Sequence, residues 1–208
     1  MKTLCCVLAF SFATLSTFGQ GTVLYQNTAG AGKEKYVYGF DNANPTSDYL
    51  GGTREKVGAG YSAQLFWGGP GSSEADLKPI EASLTTFKTG ALAGLLNGNS
   101  KLIIQGALGG TKVTLQLRAW DNEEGTIPSW EQVIAASVTV CVPRGKSAPI
   151  LNYELAGLDA EHGPHVGSGN LAKAGLQSFA LVWIPEPSVI AMSTLGFCAL
   201  LLRRPDRG

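Results

Sequence analysis

The chain has 208 residues, enough for one domain with a substantial core. Its 16 basic and 16 acidic residues cancel, and without the segments before residue 20 and after residue 183 they become 12 and 14, a net −2. That balance excludes a basic surface for nucleic acid or acidic lipid, while 15% charged residues and 27 glycines suit a turn-rich β protein outside the cytosol.

In chain order, Met1-Lys2 places one positive charge before an uncharged, mostly apolar run, Thr3 to Thr17. Thr17 and Gly19 then supply small residues at the −3 and −1 places of a cut before Gln20. This three-part layout predicts a secretory signal over 1–19, helical until a signal peptidase removes it, with Cys5 and Cys6 leaving with it.

Residues 20–183 are predicted to be one exported domain of strands separated by turn chemistry. The candidate strands are 22–26, 36–40, 61–67, 80–87, 102–107, 113–120, 132–142, 150–155 and 179–183, and the single short helix candidate is 91–96. Three runs alternate. Tyr61, Ala63, Leu65 and Trp67 oppose Ser62 and Gln64; Val113, Leu115, Leu117 and Ala119 oppose Thr114, Gln116, Arg118 and Trp120; Ile134 through Val142 repeats the pattern. Period two with one apolar face predicts an all-β fold, a single antiparallel β-sandwich (jelly-roll or immunoglobulin-like), with a barrel as the open alternative.

Within this middle, little chemistry is spelled out. His162 and His165 are separated by Gly163-Pro164, which keeps both rings off one helical face, and Asp41 to Asp48 is oxygen-rich without the glycine and closing glutamate of a calcium loop. No metal or other cofactor is expected. Neither a nucleophile elbow nor a phosphate-binding loop occurs, and carboxylates such as Asp121, Glu123, Glu124, Glu131 and Glu154 cannot be paired from sequence, so no catalytic residue is assigned. Trp120 and Trp130 are the candidate ligand-binding residues. Trp120 falls on the polar face of its strand and Trp130 just beyond the following turn. Exposed, their indoles would stack on sugar rings; turned inward, Trp120 would close one end of the core and Trp130 would pin the loop over it.

The far end, 184–208, carries Ile184-Pro185-Glu186-Pro187-Ser188, an apolar run from Val189 to Leu202, and a basic close with Arg203, Arg204 and Arg207. Fourteen apolar residues make a helix of about 21 Å, short of a bilayer core of about 30 Å. The prolines mark its outer boundary and the arginines its cytoplasmic one. In this order the three parts resemble the PEP-CTERM sorting signal of Gram-negative bacteria, and Gly19-Gln20-Gly21-Thr22-Val23 resembles signal junctions of such proteins from Verrucomicrobia and their relatives. The resemblance implies an exosortase that recognises Pro185, Glu186 and Pro187 and removes the tail. It also implies a transient stay in the inner membrane, release to the cell surface or beyond, and association with exopolysaccharide and biofilm.

Overall fold

A computed structural model describes residues 19–39, 55–98, 101–136, 142–159 and 163–182. The signal segment, Asp41 to Asp48, Cys141, His162, the sorting motif Pro185-Glu186-Pro187 and the arginines Arg203, Arg204 and Arg207 lie outside the described residues. Among those residues no helix is long and apolar enough to cross a membrane.

Among the described residues twelve strands carry the fold: β1 Gln20–Leu24, β2 Val37–Tyr38, β3 Tyr61–Gly68, β4 Lys78–Pro79, β5 Thr85–Thr86, β6 Lys101–Leu108, β7 Lys112–Asp121, β8 Arg144–Lys146, β9 Ile150–Glu154, β10 Gly157–Asp159, β11 Gly163–His165 and β12 Phe179–Ala180. The main helix, α1, spans Trp130–Ala136. The protein is mostly β, and its principal sheet has six antiparallel strands in the order β4-β3-β7-β8, with β5 also on β3 and β9 also on β7. β1 and β6 form a separate antiparallel pair, as do β10 and β11, whereas β2 and β12 run parallel.

The alternation in β3 and β7 decides what packs where. Ala63, Leu65, Val113, Leu115, Leu117 and Ala119 face one way and join Val23 of β1 and Leu102 and Ile104 of β6 in the main core. The β1–β6 pair thus covers one face of the principal sheet. The chain passes from β6 to β7 through Leu108-Gly109-Gly110-Thr111, where Thr111 N–H donates to Leu108 O at 3.2 Å. A Cβ on Gly109 would lie 2.6 Å from the Gly157 carbonyl carbon, so this backbone crossing requires glycine. Asn27, fully enclosed, holds the end of β1 in place. Its amide donates to Lys35 O at 2.6 Å and Gly94 O at 3.0 Å, and its oxygen accepts from Leu96 N–H at 2.9 Å.

Three expectations are corrected. The segment 132–142 was expected as a strand, but 130–136 is α-helical: Ser129 Oγ accepts from Gln132 N–H at 3.3 Å, half of a capping box, and Val133 turns inward while Ile134 is 45% exposed. The expected strand 80–87 is interrupted: β4 ends just before it at Pro79, Glu81–Ser83 forms a 3₁₀ turn, and the strand β5 is confined to Thr85–Thr86. There the Ser83 hydroxyl takes the place of a backbone partner, accepting from Leu65 N–H at 2.8 Å and reaching Ile80 O at 2.5 Å. The expected helix 91–96 is reduced to a 3₁₀ turn at Gly90–Leu92.

Candidate ligand cleft

The outer face of the principal sheet carries the more polar half of the alternation, and it is closed. Every residue of β7 from Val113 to Trp120 is buried. The loop after β3 lies over the middle of this face: Gly71 N–H donates to Thr114 Oγ1 at 3.1 Å, and Arg118 Nη2 donates to Glu74 O at 2.9 Å. Arg118 Nε also donates to Gln116 Oε1 at 3.0 Å, and the guanidinium lies 3.9 Å from the centre of the Phe66 ring. Burial pushes the Arg118 pKa below its ordinary value, against the opposing pull of Glu74 and Glu131. At the exposed rim Lys146 Nζ meets Glu74 Oε2 at 2.5 Å, and that hydrogen bond holds the carboxyl below the usual carboxylate range.

Trp120 and Trp130 close the rest of the outer face with α1. Trp120 is 0% exposed and Trp130 7%. Their rings meet edge to face at 6.0 Å, and Phe66 meets Trp130 in the same way at 6.4 Å. Trp120 Nε1 donates to Ile127 O at 2.9 Å, inside the protein. These indoles are therefore not a stacking platform for sugar: the reading in which Trp120 closes the core and Trp130 pins the loop is the one the structure carries. Their separation along the chain hides the reason, which is that α1 folds back onto β7.

The remaining candidates stay apart. Asp121 Oδ1 accepts from Glu123 N–H at 2.9 Å, inside a turn whose Glu123 and Glu124 have φ of 47° and 57°. Among the described residues, no three His, Cys, Asp or Glu side chains converge as a metal group would need. The backbone of His165 pairs with Gly157 in the β10–β11 ladder.

An open cleft of about 470 Å³ lies elsewhere, between the outer edge of the principal sheet and the pair formed by β1 and β6. One wall is Trp67 with 79–82; the other is 101–105 of β6. Hydrogen bonding fixes what each wall offers. Thr22 of β1 uses both its N–H and its C=O on Ala156, at 2.7 and 3.0 Å, although it stands opposite Ile103. The Thr22–Ile103 pair is thus a non-hydrogen-bonded one, and the N–H and C=O of Ile103 point away from β1. On the other wall Ile80 N–H donates to Leu65 O at 2.9 Å, so the next pair, Phe66 with Pro79, is non-hydrogen-bonded and leaves the Pro79 carbonyl on the outer edge.

Side chains complete the cleft. Trp67 is half-buried, packed on one side against the main core, and its Nε1 has no acceptor among the described residues. Ile103 is 48% exposed, and Lys101, Glu81 and Gln105 are exposed at the rim. Gln105 Oε1 accepts from Gln20 Nε2 at 3.0 Å, which sets the orientation of the Gln105 amide. Glu81 is the one carboxylate among the described lining residues. The sequence pattern placed Trp67 with the core face of β3, which is half of its role; its position as the last large residue before Gly68-Gly69-Pro70-Gly71, where the sheet runs out, was the signal for the other half.

Compared with family models, curated proteins and solved structures, the chain matches none.

Proposed function

We propose that this is an exported bacterial surface or extracellular-matrix protein, structural or adhesive rather than catalytic. The observation that carries the reading is the order Pro185-Glu186-Pro187, short apolar run, Arg203-Arg204 and Arg207 at one end, with a signal layout at the other. A signal peptidase frees the chain before Gln20. The run from Val189 to Leu202, too short for a comfortable permanent span, holds the protein in the inner membrane until an exosortase cuts near Glu186. The product then lies at the cell surface among exopolysaccharide. Residues 20–183 are the exported domain, a single β-sandwich in which the β1–β6 pair supplies part of the layer facing the principal sheet. Trp120 and Trp130 offer carbohydrate no surface, because both indoles are enclosed.

The test is made in the native host with a tag placed just after Gln20. The tagged protein migrates below the signal-processed full chain by the mass of the tail, and Glu186→Ala leaves it uncut. A wild-type chain that stays full length in the inner membrane, or unchanged processing of the Glu186→Ala chain, defeats the sorting reading.

A further inference from the structure

We propose that the cleft between Trp67 and β6 binds a neutral glycan, one pyranose face resting on the Trp67 indole. The inference stands on the cleft alone and holds whether or not the tail is a sorting signal.

Sugar rings present an apolar face of C–H groups and a rim of hydroxyls that both donate and accept. A binding site for them needs an aromatic surface with scattered donors and acceptors around it. Trp67 supplies the surface, and its Nε1, without an acceptor among the described residues, supplies a donor. The Ile103 N–H and C=O, the Pro79 C=O and the Gln105 amide supply both kinds of partner on the two walls. Glu81 and Lys101 oppose each other in charge across the opening, which favours an uncharged ligand over an acidic or a basic one. The cavity, about 470 Å³, falls within the range of about 300–1,000 Å³ usual for small-ligand sites.

The other occupant that an exposed strand edge invites is an extended peptide adding itself to β6. Both walls are built against it. Pro79 has no N–H to give, and Lys78 and Lys101 place charge along the edges. On β6 the register jumps from Ile104 opposite Gly21 to Leu108 opposite Gln20, so 105–107 bulge out, with Gly106 at φ 83°. An incoming strand would find a ladder only over 101–104. Glycan hydroxyls require no such continuous ladder. Hydrolysis of the bound sugar is not part of the proposal, since it takes two carboxylates and only Glu81 lines the described cleft.

The experiment titrates the purified full chain, in mild detergent, with hexasaccharides of β-linked glucose, xylose, mannose, galactose and N-acetylglucosamine. Oligogalacturonate and a Thr-Val alternating peptide serve as comparison probes. Tryptophan fluorescence and calorimetry are read together. At least one neutral hexasaccharide binds and shifts the emission; Trp67→Ala weakens that binding at least tenfold, and Gln105→Ala, at an exposed position that leaves the fold intact, weakens it severalfold. Three results overturn the proposal: no neutral hexasaccharide binds; binding survives both Trp67→Ala and Gln105→Ala; or only oligogalacturonate or the peptide binds.

Discussion

The two faces of the principal sheet are both buried, by different means. The inner face is aliphatic, with Leu65, Leu115, Leu117 and Ala119 all at 0% exposure against the β1–β6 pair. The outer face carries Ser62, Gln64, Thr114, Gln116 and Arg118, also buried, each held by its position under a loop or helix rather than by its own hydrophobicity. The inner face is stabilised by removing apolar area from water; the outer face must also replace every hydrogen bond that water would have made. Alternation in a strand therefore reports which residues share a face. It does not report whether that face meets solvent.

The sharpest way to break this comparison is Trp120→Ala. If the outer face is core, the substitution costs about 3–5 kcal/mol, as a buried aromatic does, and urea unfolding of the signal-processed chain shows it. A loss within about 0.5 kcal/mol is what a surface residue would give and would contradict the burial. Ser83→Ala comes next. It leaves the buried Leu65 N–H without its acceptor, at a cost of about 1–3 kcal/mol, whereas Ser83→Thr keeps the hydroxyl and recovers part of it.

Gln64 sharpens the comparison in the opposite direction. Its Oε1 is buried with no hydrogen-bond partner among the described residues, the one such side-chain oxygen of the sheet among them. Gln64→Met keeps the shape and removes the unpaired oxygen, so it is neutral or stabilises by up to about 1 kcal/mol, measured as the urea midpoint. A clear loss would mean that Gln64 has a partner in solution. The smallest effect belongs to the rim. Glu74 is held below the usual carboxylate range by Lys146, with the two side chains 43% and 42% exposed. A depressed carboxyl stabilises the fold above its unfolded pKa of about 4.3, and that contribution fades as pH falls through the lower folded value. Solvent screening keeps it within about 0–1 kcal/mol, so Lys146→Ala changes the melting temperature slightly at pH 7 and by less as the pH falls below the ordinary carboxylate range.

Much of the fold was legible because β3 and β7 are long enough for period two to dominate. The all-β character followed, whereas the pairing of one strand with another did not. The failures share a cause. In 130–136 the apolar alternation that continues to Val142 outweighed Ser129, Glu131 and Gln132, although Ser-x-x-Gln is a helix-start signature. In 80–87 one serine hydroxyl replaced a backbone group, and no local pattern reveals that a side chain will bridge two segments. β8, β10 and β11 are three residues each, too short for any periodicity. The cleft was invisible for another reason. It is assembled from 67, 79–82 and 101–105, and its polar groups are largely backbone, freed by which strand pairs with which.

Hydroxyl-radical footprinting of the full chain with mass spectrometry reads, residue by residue, which indole meets water. Trp67 should be oxidised severalfold faster than Trp120 and Trp130, and a bound neutral hexasaccharide should protect it alone. Oxidation of Trp120 as fast as Trp67 would contradict both the sealed outer face and the place given to the cleft.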